Sequence, residues 1–302
     1  MDIRQIESFV NVVRYKSFSR AADASFLTQP TISTHISSLE KELGVMLIDR
    51  RGKEAIPTAA GKKLHAYALD IINTRDQAIN EIKPKAGEID GVLEIQASSV
   101  PGEYIVPAIL AGFRKEHPQI KFYLEQSDSK IVERNLLEGK GEIGFVGNSG
   151  NKNLAYEKLL SDRMVLITPK DKHFLNMKGR GITFEQVAVE PFIWREEGSA
   201  TRKEFENRLT ELGKDPKNIQ VAARINSLEA VKQAVSSGLG VSVVSELTTD
   251  PGITEEYKNF LTFRFEDINL TRDFYMTWNK NTALSPRAQT FRKYVIKKYE
   301  IV

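Results

Sequence analysis

Between residues 28 and 43, short polar side chains collect on one side of what the spacing makes a helix. Gln29, Thr31, Ser33, Thr34, His35, Ser37 and Ser38 bring hydroxyl, amide and imidazole groups that both donate and accept hydrogen bonds. Such groups suit contact with base edges and phosphate oxygens. A face made only for water favours Glu and Lys, and this one is made of Ser, Thr, Gln and His instead. On the opposite side Ile32, Ile36, Leu39 and Leu43 recur at i, i+4, i+7 and i+11 and are expected to face a small core. Thr28 can cap this helix, Pro30 is tolerated in its first turn, and Gly44 can end it.

The elements that must hold this face can be read around it. Ile6, Phe9, Val10 and Val13 form one apolar stripe of a preceding helix. Ser19 is the expected N-cap of a short second helix through Ala21 and Ala22, with Phe26 and Leu27 at the turn. Two short helices joined by a tight turn, the later one polar on its outer side, is the arrangement that puts a helix into the DNA major groove. After it, residues 47–57 read as two short strands around a basic, Gly-containing turn. Arg50, Arg51 and Lys53 on that wing can lie along phosphates or enter a minor groove. The candidate DNA contacts are therefore Thr28, Gln29, Pro30, Thr31, Ser33, Thr34 and His35 on the helix, with Arg50, Arg51 and Lys53 on the wing.

Residues 58–86 continue as a long helical pattern. Leu64, Ala68, Ile71, Arg75, Ile79 and Ile82 alternate steps of four and three, as a coiled-coil seam does. The pattern also fits a core helix lying on a domain. A dimer seam would let two recognition helices address a two-fold site. Residues 83–88, KPKAGE, read as a linker.

From Gly91 the texture changes to alternating strands and helices. Strands are expected at 92–97, 121–126, 142–147, 165–168, 192–195, 221–225 and 241–245, and helices at 103–116, 129–138, 199–212 and 227–237. Alternation of this kind implies parallel sheets with helices on both faces. Residues 164–167 and 274–278 are expected to pair as strands crossing between two lobes, with the helix from Ser285 to Lys298 returning to the first. In such sheets ligands sit beyond the carboxyl ends of strands, near helix N-termini. Those positions hold Ser98, Ser99 and Val100; Ser127 and Ser129; Gly147, Asn148 and Ser149; Glu197, Gly198, Ser199, Thr201 and Arg202; and Asn226 and Ser227. Hydroxyls, exposed backbone N–H groups and the Arg202 guanidinium point to a small anion. Taken singly, each of these serines also fits ordinary helix capping, and Arg202 also stands four residues before Glu206.

Composition narrows the classes. The 302 residues suit two domains, and 41% hydrophobic with 27% charged residues is ordinary for a globular protein. The net charge of +3 sits within residues 1–65, which hold ten Lys/Arg against seven Asp/Glu, as phosphate contact favours. The absence of cysteine excludes disulfides, thiolate metal sites and thiol chemistry. The four histidines, His35, His65, His117 and His173, lack metal-ligand spacing, and no GxSxG or GxxxxGK[ST] run occurs. Glu196 and Glu197 fit helix-dipole partners better than an acid pair. The expectation is no enzyme, no metal and no cofactor. The chain opens on an amphipathic helix without a leader-like segment or membrane span, so a cytoplasmic protein is expected. The competing reading is a cytoplasmic small-anion-binding module without a direct DNA function, which leaves residues 1–86 unexplained.

The first 65 residues resemble the winged helix-turn-helix of LysR-type transcriptional regulators. The resemblance rests on FSxAA at 18–22, LTQPTIS at 27–33, LExELG at 39–44, LIxR at 47–50 and TxxG at 58–61. It implies a fold with an all-α, winged helix-turn-helix head (1–57), a linker and dimerisation helix with its hinge (58–90), and a C-terminal α/β domain (91–302). That last domain is expected to be two-lobed and periplasmic-binding-protein-like, with lobe I near 91–163 and 269–302 and lobe II near 164–268. It also implies double-stranded DNA, a small effector, a second or further copies of the chain, and RNA polymerase as candidate partners. The GSxTR run at 198–202 is similar to one in members governing sulfur assimilation and carbon fixation, which points to an inorganic or carboxylate anion. Thr34 and His35 stand where many relatives carry a basic residue, so base preference does not transfer.

Overall fold

The structure is a computed structural model that describes residues 1–82, 89–249 and 259–300. The expected linker at 83–88 lies outside the described residues. Three helices form the head: α1 (Ile3–Tyr15), α2 (Phe18–Ser25) and α3 (Gln29–Leu43). Asp2 and Gln5 close a capping box on α1. Ser17, not Ser19, caps α2 by accepting from the Arg20 N–H, because Phe18 is already helical. Thr28 caps α3, and Gly44 ends it at φ +68°, a left-handed position that favours glycine. Phe9, Ile32, Ile36 and Leu39 are fully buried, each contributing roughly 1.5–3 kcal/mol. Leu43 departs from expectation and is 41% exposed. Glu40 instead closes the core at that end. Its buried carboxylate accepts from the Leu47 and Ile48 N–H groups at 2.8 and 3.1 Å, fixing the chain that enters the wing. The wing strands β1 (Ile48–Asp49) and β2 (Ile56–Pro57) pair antiparallel.

Helix α4 (Ala59–Ile82) leaves the head. The expected seam divides along its length. Ala68 is buried in the head's own core with Leu64 against it, while Ile71, Ile79 and Ile82 are exposed, as is Tyr67. The lower half of the helix therefore packs within the chain, and its upper half offers an apolar edge. On another side, Asp70 and Asn73 bond the backbone of Ala283, and Gln77 donates to the Leu284 carbonyl.

The remaining elements are β3 (Gly91–Ser98), a π-turn at Pro101–Ile105, α5 (Val106–Glu116), β4 (Ile120–Ser127), α6 (Ser129–Leu137), β5 (Ile143–Val146) and β6 (Leu154–Pro169). There follow α7 (Lys172–Leu175), α8 (Phe184–Val187), β7 (Phe192–Trp194), α9 (Ala200–Glu211), β8 (Val221–Arg224), α10 (Leu228–Ser236) and β9 (Ser242–Ser245). The last are β10 (Phe260–Phe263), β11 (Thr271–Asn279) and α11 (Pro286–Lys298), the latter capped by Ser285.

Seven of these strands form one sheet in the order β10-β6-β11-β5-β3-β4, with β9 also on β6. Only β3, β4 and β5 are mutually parallel; β6 and β11 bring antiparallel pairing into the middle. This mixed sheet departs from the parallel sheets that strand-helix alternation implies, whereas β7 and β8 do pair parallel in a sheet of their own. The crossing also differs in register. Residues 274–278 pair with 155–160, while 164–167 pair with β9 and β10. Strand β6 is 16 residues long and serves both groups of strands in turn. One apolar cluster is built only from residues between 164 and 270. A larger one centred on Leu93, Phe113, Phe145 and Phe291 runs on through Val165 and Val231. The two groups of strands are called lobe II and lobe I below.

Candidate functional sites: a polar helix face and an interlobe cleft

Helix α3 presents Gln29, Pro30, Ser33, Thr34, Ser37, Ser38 and Lys41 along an open, solvent-facing surface. Six of the ten expected contacts are already engaged. Thr28 Oγ1 caps the helix and lies 2.8 Å from Thr31 Oγ1, and Thr34 donates to the Pro30 carbonyl at 2.9 Å. His35 turns inward: its Nδ1 is 2.7 Å from the hydroxyl of Ser8, which is buried on α1. Its ring braces α3 against α1. On the wing, Arg50 is drawn back onto Glu40 at 3.1 Å and over the Phe18 ring at 4.9 Å. Arg51 folds onto Asp49, whose carboxyl it holds down to about 2, chiefly by their side-chain hydrogen bond. Lys53 is exposed at the tip. The freely offered groups are thus Gln29, Ser33, Ser37, Ser38, Lys41 and Lys53. Ser37, Ser38 and Lys41 continue the same helix face by one and two turns.

The second site lies between the lobes. The hydroxyl-bearing residues Ser98, Ser99, Ser129, Ser199 and Thr201 converge on a cavity of about 10 Å³, with Val100 and Phe274 as apolar wall. That is room for about one water. The N-termini of α6 and α9 meet here through their caps Asp128 and Ser199, and their dipoles favour negative charge.

The cation of this cleft is Arg272, not Arg202. Arg202 lies along α9, bonding Glu206 at 2.8 Å and the Arg195 carbonyl at 3.2 Å, with its guanidinium over Trp194. An i,i+4 partner on its own helix draws it out of the cavity. Arg272, on β11, is buried with Nε on Asp162 at 3.0 Å and Nη1 on Thr201 Oγ1 at 2.7 Å. Its Nη2 has no partner among the described residues, and neither has Ser129 Oγ. Burial works against both charges of the pair, pushing Asp162 up and Arg272 down from their ordinary values, while each supports the other's ionised form. Asp162 also accepts from Ser245. Arg195, likewise buried, spans the lobes: its Nη2 donates to Ser99 Oγ at 3.2 Å and to the Asn226 carbonyl, and it grips Glu196 at 2.9 Å.

Several expected cleft residues fall outside. Ser149, Glu197, Asn226 and Ser227 are exposed, and Ser227 caps α10. Asn148 bonds Glu133. Ser127 turns to the Asp128 carbonyl. Gly147 packs under Ala200, Phe274 and Arg272, and Gly198 lets the Asp128 carboxylate approach, since a Cβ there would overlap it.

Residues 3–62 match the family described as bacterial regulatory helix-turn-helix protein, lysR family, and residues 86–300 match the LysR substrate binding domain. The chain belongs to the LysR family. It is 32% identical over 99% of its length to the transcriptional activator CmpR of Synechocystis, covering 96% of that protein. Among solved structures, full-length OxyR from Pseudomonas aeruginosa superposes with a TM-score of 0.82 at 20% identity, covering 98% of this chain and 95% of that one. The CcmR regulatory domain of Synechocystis, in complex with 2-PG, superposes at 0.62 with 23% identity, over 70% of this chain and 98% of that domain. This LysR-family chain is therefore a DNA-binding transcriptional regulator with an effector-binding domain, not an enzyme. Its described helices include none long and apolar enough to cross a membrane.

Arg272, Asp162, Arg195 and Asp128 are cleft residues that sequence reasoning passes over in this regulator. The signal for Arg272 is a single cation inside the strand 271–279, of which the sequence reading takes in only 274–278.

Proposed function

We propose that this regulator reads DNA through Gln29, Ser33 and their neighbours on α3 and senses a small anion between its lobes. The observation that carries the effector reading is the Arg272–Ser129 pair of unpartnered buried donors facing one cavity. A buried donor without an acceptor costs about 1–3 kcal/mol, and a bound oxyanion removes that cost. That CcmR holds 2-PG in a domain of this fold supports the same class of guest. The anion must favour one lobe arrangement over another to act as a switch. We assign residues 1–57 to DNA contact, 58–90 to linkage and pairing, and 91–302 to effector binding, in the cytoplasm where the DNA lies.

A thermal-shift screen of small anions on the full chain tests the effector reading. At 100 times its dissociation constant an effector should stabilise the fold by about 2.7 kcal/mol. No shift with any anion, alongside shifts with neutral or cationic compounds, would overturn it.

The exposed edge of α4 supports a homodimer or higher homo-oligomer, because Tyr67, Ile71, Ile79 and Ile82 leave apolar surface that a second copy can cover. Ile79→Asp with Ile82→Asp should lower the sedimenting mass and weaken operator binding together. A wild-type mass in that variant sinks this assignment of the interface.

A further inference from the structure

The cleft carries a carboxylate that a site for a bare anion does not need. Asp128 lines the cavity beside the unpartnered Arg272 Nη2 and Ser129 Oγ. Its Oδ1 accepts from the Ile131 N–H at 2.9 Å, and Oδ2 accepts nothing among the described residues. The other charges nearby are matched: Arg272 by Asp162 at 3.0 Å, and Arg195 by Glu196 at 2.9 Å. Among the described residues Asp128 is left as the charge without an ionic partner, held only by the N-terminus of α6. Gly198, across the cleft, has no side chain, and that is what allows the carboxylate to sit there.

An anion held by Arg272 and Ser129 must therefore also meet Asp128. A guest with acceptors only would put oxygen lone pairs against a carboxylate, and like charges at such range repel. A guest with one O–H turns the same contact into a short, charge-assisted hydrogen bond. We propose that the effector is an oxyanion carrying its own hydrogen-bond donor, a protonated oxyanion or a hydroxy acid, and that Asp128 selects it. This rests on the small-anion reading above. In the bound state Arg272 Nη2 and Ser129 Oγ donate to the anion's oxygens, and the anion's O–H donates to Asp128. Asp128 thus fixes both the orientation and the protonation state of the guest.

Isothermal titration of the full chain at neutral pH tests this with two pairs of probes. Inorganic phosphate keeps a proton at that pH and sulfate of the same shape does not; glycolate has a hydroxyl that acetate lacks. The donor-bearing member should bind at least about 10-fold tighter in at least one pair, the size of one acceptor satisfied against unsatisfied once the guest covers it. Asp128→Asn keeps the cap on α6, because asparagine caps as well as aspartate. With its amide oxygen on Ile131, it offers the cavity a donor in place of an acceptor. The preference in that variant should shrink to about 3-fold or less, mainly through tighter sulfate or acetate binding. If sulfate and acetate bind the native chain as tightly as their partners, or if Asp128→Asn leaves the preference intact, the selection falls while the anion reading stands. If none of the four binds either protein, the anion reading falls and takes this proposal with it.

Discussion

Gln29→Ala combined with Ser33→Ala should weaken binding to the cognate operator by roughly 100-fold while leaving affinity for random DNA nearly unchanged. Both side chains are on the open face of α3, and neither has a partner in the head among the described residues. Removing them therefore leaves Ile32, Ile36 and Leu39 packed as before. A good base contact is worth about 1–3 kcal/mol of discrimination, and glutamine can engage an adenine edge with two hydrogen bonds. Lys41→Ala should behave differently. A lysine at that end of the helix contributes charge, so its loss should lower affinity on every sequence alike and reduce the salt slope by about one. His35→Ala belongs to neither class, because its ring bonds Ser8 inside the head; its loss should appear first as lower stability of the free protein. Fluorescence anisotropy on operator and scrambled duplexes, at two salt concentrations, separates the three outcomes. Equal loss on both duplexes in the Gln29/Ser33 variant would reduce this face to a phosphate contact.

Arg272→Met should cost about 3–5 kcal/mol of stability, because it strands a buried carboxylate. Asp162 already titrates above the ordinary carboxylate range, chiefly because it is buried. Without its cation it rises further. A carboxyl whose folded-state value exceeds its unfolded one is penalised only when ionised, so the loss should be small below about pH 4. It should grow as the pH climbs toward the raised value and then level off. Denaturant melts across pH 4–8 check the sign. Adding Asp162→Asn to Arg272→Met removes the stranded charge and should recover most of the stability. Effector binding should stay absent in the double variant, since the guanidinium that faces the cleft is gone. Recovery of binding along with stability would show that Arg272 only supports the fold.

How far the sequence revealed the site follows from the range over which each interaction acts. The head was legible almost residue by residue, because caps, breakers and the 3.6-residue period are local. Thr28, Pro30 and Gly44 each act within a turn of where they stand. Ser17 against Ser19 is a shift of two residues at one helix end, within the usual uncertainty of such boundaries. Leu43 keeps the period but is 41% exposed, and the Glu40 carboxylate holds the chain at that end of the core by binding the Leu47 and Ile48 N–H groups. The cleft was half legible. Ser98, Ser129, Ser199 and Thr201, all expected at strand ends, line one cavity, because parallel strands followed by helices put their loops on one edge. For its cation, spacing shows the Glu206 partner that draws Arg202 away but not the partner that holds Arg272 in place. Arg202 has Glu206 four residues away, whereas Arg272 meets Asp162 across 110 positions of chain. Strand β6 was cut short for a similar reason. Its first half, Leu154–Arg163, is held by β11, which follows it by more than a hundred residues. The α4 pattern fits a seam interrupted at Arg75 or a core helix, and Ala68 packs in the chain's own head while Ile79 and Ile82 stay exposed.

The central claim is that α3 reads a specific DNA sequence under control of the cleft. Selection of duplexes from a random pool by the full chain, followed by affinity measurement on the winners, tests it most directly. The account predicts one enriched, two-fold symmetric sequence bound at least about 1,000-fold more tightly than the starting pool at physiological salt. That preference should disappear in the Gln29/Ser33 variant and should change in strength or half-site spacing when the effector is added. A pool with no enriched sequence, or an enriched sequence bound equally by the variant, would contradict it.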